Sequence, residues 1–170
     1  MIRAASGDTA AFDAIVHRHQ HRVQRFAVRM LGGKSARGAD VAVGAFLRLW
    51  EVRAAYRPCG KLSAWLIRTT YRLCLDTLGA TQSAGQVDLS ALNDSAEAPP
   101  ILIERTALAS AVRDAVMELP EPLRAVIILS AYEGMTYQQI SEALDIPAGT
   151  VASRKNHATA VLRRRLAAWE

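Results

Sequence analysis

Ser153, Arg154, Asn156 and His157 stand almost side by side near the C-terminus and carry the donors and acceptors that read nucleic-acid bases. An arginine can bond guanine with two prongs and an asparagine can do the same with adenine. Arg154 and His157 are three residues apart, as are Ser153 and Asn156, so on a helix each pair shares a face. A solvated helix face is the plainer reading of the same residues, and of Gln138. The run Arg163-Arg164-Arg165 adds cations, although basic residues also suit the C-terminal end of a helix for its dipole. Other chemistry is poorly provided for. His17 and His21 are one turn apart, but His19 lies on an apolar stripe, so one core and two surface histidines account for the set. Cys59 and Cys74 lack the further ligands of a zinc site and read as free thiols. Gly32-Gly33-Lys34 reads as a helix exit, not a phosphate cradle. No catalytic constellation, cofactor, metal or small-molecule substrate is expected.

Stepping from these residues to what must hold them, Met135 to Arg154 has the punctuation of a helix-turn-helix. Thr136 with Gln139 makes a capping box. Ile140, Ala143 and Leu144 face inward, Asp145-Ile-Pro-Ala-Gly149 makes a tight turn, and Thr150 stands near the start of a last helix reaching Ala167. The second helix of such a pair can enter the major groove. Upstream, helices are expected over 105–117 and 121–132. The N-terminal block carries three apolar stripes at helical spacing: Phe12 to Leu31, Ala42 to Trp50 and Leu62 to Leu73, with Ser6-Gly-Asp8 as a cap for the first. No segment alternates as a half-buried strand. The fold class is all-α: two small helical domains, 1–78 and 105–170, joined by a linker at 79–104, the second containing the helix-turn-helix.

Charge supports that division. Residues 1–78 hold thirteen Lys/Arg against five Asp/Glu, residues 79–104 hold four acids and no Lys/Arg, and residues 105–170 hold eight against seven. The chain has 170 residues, is 51% apolar and 22% charged, and carries a net charge of +5, a balance that fits a globular, polyanion-facing protein and excludes wholesale disorder. The longest strictly apolar run, Ala125 to Leu129, is far too short to cross a bilayer. Asp8 and Asp13 interrupt any signal peptide. A soluble, reduced, cytoplasmic protein without membrane insertion is expected.

Three segments resemble region four of bacterial extracytoplasmic-function (ECF) sigma factors: Leu119-Pro-Glu-Pro-Leu-Arg124, Glu133-Gly-Met-Thr-Tyr-Gln-Gln-Ile140 and Ile146-Pro-Ala-Gly-Thr-Val-Ala-Ser-Arg154. The N-terminal block is similar to region two, through Gly7-Asp-Thr-Ala-Ala-Phe12, Arg22-Val23 with Ala27 and Arg29, Phe46-Leu-Arg-Leu-Trp50, and Ala64-Trp-Leu-Ile-Arg68 with Asp76. The resemblance implies a non-enzymatic sigma subunit that binds RNA polymerase core at its clamp helices and flap and directs promoter-specific initiation, with an anti-sigma factor as a further partner. It implies that Arg124 contacts phosphate and that Thr150, Ser153, Arg154, Asn156 and His157 face the upstream promoter element. It further implies that Arg57, Lys61, Ser63, Arg68 and Arg72 face the minus-ten element around Trp65, which itself reads as core. Asp40, Phe46, Leu47 and Trp50 then face core polymerase.

Departures from the family pattern fall mostly on that last surface. Of its usual acids only Asp40 remains, Val43 stands in place of Gln and Gly44 in place of Glu. Apolar contacts through Phe46, Leu47 and Trp50 are expected to carry the interface instead. In the last helix Ala152 replaces a usual cation and Lys155 an apolar residue, and Arg72 stands where Asn is common. The thinned acidic face motivates an alternative: a sigma-like interaction module that binds an anti-sigma or regulatory partner with weak transcription activity. A helix-turn-helix regulator acting alone would leave the N-terminal resemblance without a purpose.

Overall fold

The computed structural model describes residues 1–57, 61–83 and 100–167, all of them helix or connection. Among the described residues eight α-helices follow in order: α1 Ile2–Ala5, α2 Thr9–Met30, α3 Ser35–Glu51, α4 Leu62–Ser83, α5 Pro100–Met117, α6 Glu121–Ile127, α7 Tyr137–Leu144 and α8 Ala148–Leu166, with a π-helical turn, Ile128–Tyr132, continuing α6. The short α1 has no counterpart in the apolar stripes. The Pro58-Cys59-Gly60 turn and residues 84–99 of the expected linker lie outside the described residues. The flanks of that linker are helical, since α4 runs on to Ser83 and α5 begins at Pro100.

Local chemistry accounts for the element ends. Asp8 accepts the Ala11 N–H at 2.9 Å and so caps α2, while Gly32 and Gly33, both at positive φ, release the chain after it. Between α2 and α3 the approach is very close: a Cβ on Gly38 would stand 2.4 Å from Val28 Cγ2 and 2.8 Å from the Val28 Cα. Backbone atoms cannot swing away as a side chain can, so only glycine permits this crossing. Thr136 and Gln139 form the reciprocal capping box at the start of α7, and Asp145 closes that helix in the left-handed conformation at φ 60°. Pro147 then precedes α8, which starts two residues before Thr150.

Helices α1 to α4 form one unit around Val23, Ala42, Ala45, Phe46, Leu49 and Leu66. Helices α5 to α8 do not close a separate core. Phe26, Met30, Val41 and Ile67 from the N-terminal unit share a single buried cluster with Leu119, Val126, Ile128, Ile140, Val151 and Ala158. The two halves are therefore packed against one another, chiefly α2 and α4 against α6, the π-helical turn and α7.

Candidate nucleic-acid interface

Helix α8 presents one continuous outer face. Val151 and Ala158 are fully buried on its inner side. Ser153, Asn156, His157, Ala160, Arg163 and Arg164 are all exposed, and their three- and four-residue spacing places them in a single stripe running to the basic end. The expected reading residues do not all join it. Arg154 is half-buried; burial raises the pKa of the Tyr71 phenol on α4, and the Arg154 charge opposes that shift. Thr150 is half-buried and its carbonyl accepts the Ser153 hydroxyl at 3.2 Å. Lys155 rests its ammonium over the Tyr137 ring at 5.2 Å, satisfying a cation that the inner stripe could not hold bare.

A second basic site lies on α4 and the chain leading into it. Arg57, Lys61 and Arg68 line a cleft of about 490 Å³ with Tyr56, Ala64 and Trp65. Tyr56 meets Trp65 edge-on with ring centroids 6.1 Å apart. Trp65 is half-buried: one side packs on the N-terminal core and the other lines the cleft, so core and platform are not exclusive. Tyr56 is the residue that sequence spacing missed, although its place beside Arg57 was a signal. Ser63 sits half-buried in the first turn of α4, and Arg72 is exposed one turn beyond Arg68; neither lines the cleft. Cations beside aromatic rings can hold a phosphate chain while unstacked bases lie against the rings.

On α3 the expected polymerase-facing residues divide. Phe46 is only 8% exposed and belongs to the core of its unit, because it shares the Ala42, Ala45 and Leu49 stripe. Trp50 is half-buried, edge-on to Phe12 at 4.9 Å, with the Arg53 guanidinium 3.9 Å above it. The outward apolar residues are Leu47 and Val43, each 58% exposed and one turn apart, with Asp40 exposed beside them. Val43, read in the sequence as the loss of a glutamine, thus supplies apolar surface of its own.

Two charged side chains fasten the halves together. Arg124, expected on phosphate, is 6% exposed in this arrangement. Its Nη1 donates to Met30 O at 3.1 Å, and its Nη2 donates to Met117 O at 2.5 Å and Leu119 O at 2.9 Å, so it satisfies carbonyls at the ends of α2 and α5. Burial lowers its pKa, with Glu121 and Tyr71 opposing. A guanidinium so enclosed cannot reach DNA without the seam opening. Glu133, whose side chain is fully buried, accepts from Arg25 at 2.9 and 3.3 Å and from Arg29 at 2.9 Å, with Arg22 at 3.8 Å. Arg29 also lies 4.8 Å over the Tyr132 ring. The π-helical turn aims Glu133 at α2: its N–H donates to Ile128 O, five residues back, and Gly134 at φ 63° then returns the chain.

Among the described residues no three His, Cys, Asp or Glu side chains gather as metal ligands, and no helix is long and apolar enough to cross a membrane. Half-burial lowers the pKa of His19, helped by Arg18 and Arg22. Cys74 is buried.

A helix-turn-helix hairpin following a helical unit with a basic, aromatic cleft is the layout of a sigma-70-type transcription initiation factor, a non-enzymatic class, and both halves of the chain match that class. Residues 15–83 match Sigma-70 region 2 and residues 109–160 match Sigma-70, region 4. Over 96% of its length the chain is 31% identical to ECF RNA polymerase sigma factor SigE of Mycolicibacterium smegmatis, spanning 65% of that protein. It is 28% identical to RNA polymerase sigma-H factor of Pseudomonas aeruginosa, over 89% of this chain and 84% of that one. With ECF RNA polymerase sigma factor SigW of Bacillus subtilis it shares 26% identity, over 94% of this chain and 91% of the other. The chain belongs to the ECF sigma-factor family. Its fold is that of CnrH, solved in complex with the cytosolic domain of CnrY (TM-score 0.73, 24% identity, 98% of this chain and 94% of that one). It is also that of the sigma factor RpoE from Bartonella quintana, solved with the anti-sigma factor NepR (TM-score 0.70, 18% identity, 92% and 96%).

Proposed function

We propose that this chain recruits RNA polymerase core in the cytoplasm and directs promoter-specific initiation, reading the upstream element with α8 and holding the opened minus-ten strand in the α4 cleft. The observation that carries this reading is the pairing, in one chain, of an exposed polar stripe on a helix-turn-helix with a separate basic, aromatic cleft. Ser153, Asn156 and His157 supply base contacts with the neighbouring Arg154, and Arg163 and Arg164 supply phosphate contacts. Arg57, Lys61 and Arg68 hold the single strand against Tyr56 and Trp65, with Arg72 and Ser63 at its margin. Val43, Leu47, Asp40 and the edge of Trp50 meet core polymerase through mainly apolar contact. Run-off transcription with purified core polymerase tests the whole: promoter-dependent product is expected, and its absence alongside normal folding defeats the proposal.

A second reading is favoured by the seam. With Lys61, Arg68 and Arg124 engaged between the halves, the molecule resembles a held form more than a DNA-bound one, and RpoE is found with an anti-sigma factor. A sigma-like module that chiefly binds such a regulator would bind neither core nor DNA productively in the same assay.

A further inference from the structure

The α4 cleft is already occupied by the chain itself. Lys61 Nζ lies 3.2 Å from Glu142 Oε1, and Arg68 Nη1 lies 3.3 Å from Asp145 Oδ2. Arg68 Nη2 also donates to Glu142 O at 2.6 Å and its Nε to Ala143 O at 3.4 Å, at the C-terminal end of α7. Two carboxylates and the negative end of a helix thus meet two cations of a basic, aromatic cleft. A phosphate chain would offer those cations the same chemistry: anionic oxygens at hydrogen-bond distance.

The two ion pairs are ill placed to hold the halves together. Lys61 and Asp145 are 57% and 72% exposed, and exposed ion pairs contribute little to stability. The shared core and the buried Glu133 and Arg124 do that work elsewhere along the seam. What Glu142 and Asp145 do is consume the positive potential of the cleft.

We propose that the C-terminal end of α7 is an intramolecular competitor for single-stranded DNA, with Glu142 and Asp145 standing in for two backbone phosphates, so that the chain cannot load a promoter strand until the helix-turn-helix moves off α4. This rests on the reading of the α4 cleft as the single-strand site. Opening therefore uncovers Lys61 and Arg68 for the strand together.

The test is fluorescence anisotropy of the full chain with a fluorescein-labelled short single-stranded oligodeoxynucleotide of randomised sequence. Glu142→Gln with Asp145→Asn should bind about fivefold tighter than the unaltered protein, the size expected when two exposed ion pairs stop competing. Its salt dependence should steepen by about 1.4 in log–log slope, at roughly 0.7 per phosphate newly neutralised on a single strand. Asparagine tolerates the left-handed conformation that Asp145 adopts, so the turn survives; circular dichroism verifies it. Adding Lys61→Ala and Arg68→Ala should erase the gain. Asp13→Asn with Asp114→Asn, the same charge change on exposed residues elsewhere, should leave affinity within about twofold. A gain below about twofold, an equal gain from the control, or a gain that survives loss of Lys61 and Arg68 overturns the competitor. Run-off transcription in parallel separates the two readings. A chain that initiates without showing the gain loses only the competitor, whereas one that shows the gain and never initiates loses only the proposed role in initiation.

Discussion

Glu133→Gln is the most direct probe of what keeps the halves together. The substitution preserves volume and one carbonyl acceptor while removing the charge that Arg22, Arg25 and Arg29 surround. Hydrogen bonds to a charged group contribute about 1.5–3 kcal/mol each, and three converge on this carboxylate, two at 2.9 Å and one at 3.3 Å. The arginines are 44%, 53% and 33% exposed, so water recovers much of what they lose and the full cost of stranding buried charges does not apply. About 2–3 kcal/mol of closure remains, which is roughly 30- to 150-fold in the open-to-closed ratio. Small-angle scattering reads it: a closed chain of this length has a radius of gyration near 16 Å by size scaling, and the variant should be measurably larger. The unaltered protein should stay closed as salt rises, because the Glu133 side chain is fully buried and poorly screened. A variant with the same scattering curve and the same urea midpoint would mean that apolar contact alone holds the seam, and the electrostatic reasoning would be refuted.

Arg124→Ala should cost about 2–3 kcal/mol in chemical denaturation by leaving the Met30, Met117 and Leu119 carbonyls unpaired. Val43→Ser with Leu47→Ser should weaken core-polymerase binding by about tenfold or more in a fluorescence titration without lowering the melting temperature, since both residues are exposed. Phe46→Ala should instead cost about 3–5 kcal/mol of folding stability, and a Phe46→Ala protein as stable as the parent would misplace the core. Asn156→Ala should relax base preference at particular upstream positions in promoter-library transcription; uniform loss at every sequence would move the reading face elsewhere on α8. Burial pushes the Cys74 thiol up to about 12, so its stabilising effect is complete below the ordinary thiol pKa and fades only as pH rises toward 12. Iodoacetamide at pH 8 should therefore label the Cys74 peptide slowly in the native protein and rapidly in urea, as read by mass spectrometry.

Local rules made much of this fold legible. The Asp8 cap, the Gly32-Gly33 exit, the Thr136 and Gln139 capping box and the Asp145 turn depend on neighbours within a few residues, and spacing finds such features. The same stripe logic that made α3 a helix also fixes Phe46 inside it; reading Phe46 as an outward anchor gave its family role precedence over its periodicity. Arg124, Glu133 and Arg68 were illegible for another reason. Their partners lie 94, 108 and 74 residues away, and a lone arginine in a helix offers no local sign that it will be enclosed by carbonyls. The π-helical turn that aims Glu133 has no periodic signature either, being one inserted residue within an apolar run.

Which surfaces stay open in the closed molecule gives the proposed functions an order. Val43, Leu47 and Asp40 on α3 face solvent, away from the seam, so core polymerase can meet them before the halves part. Lys61 and Arg68 cannot meet a strand until α7 leaves, and Arg124 cannot change partners until the shared core divides. Polymerase bound to α3 and to the helix-turn-helix at two separated points would favour the open form by the difference in its affinity for the two arrangements. Single-stranded DNA, excluded from the closed form, adds its own binding energy to the same shift. The closed seam then acts as a threshold. On this proposal the free protein binds single-stranded DNA weakly despite its +5 charge, and full occupancy of the α4 cleft becomes conditional on a partner that pays the cost of parting the two halves.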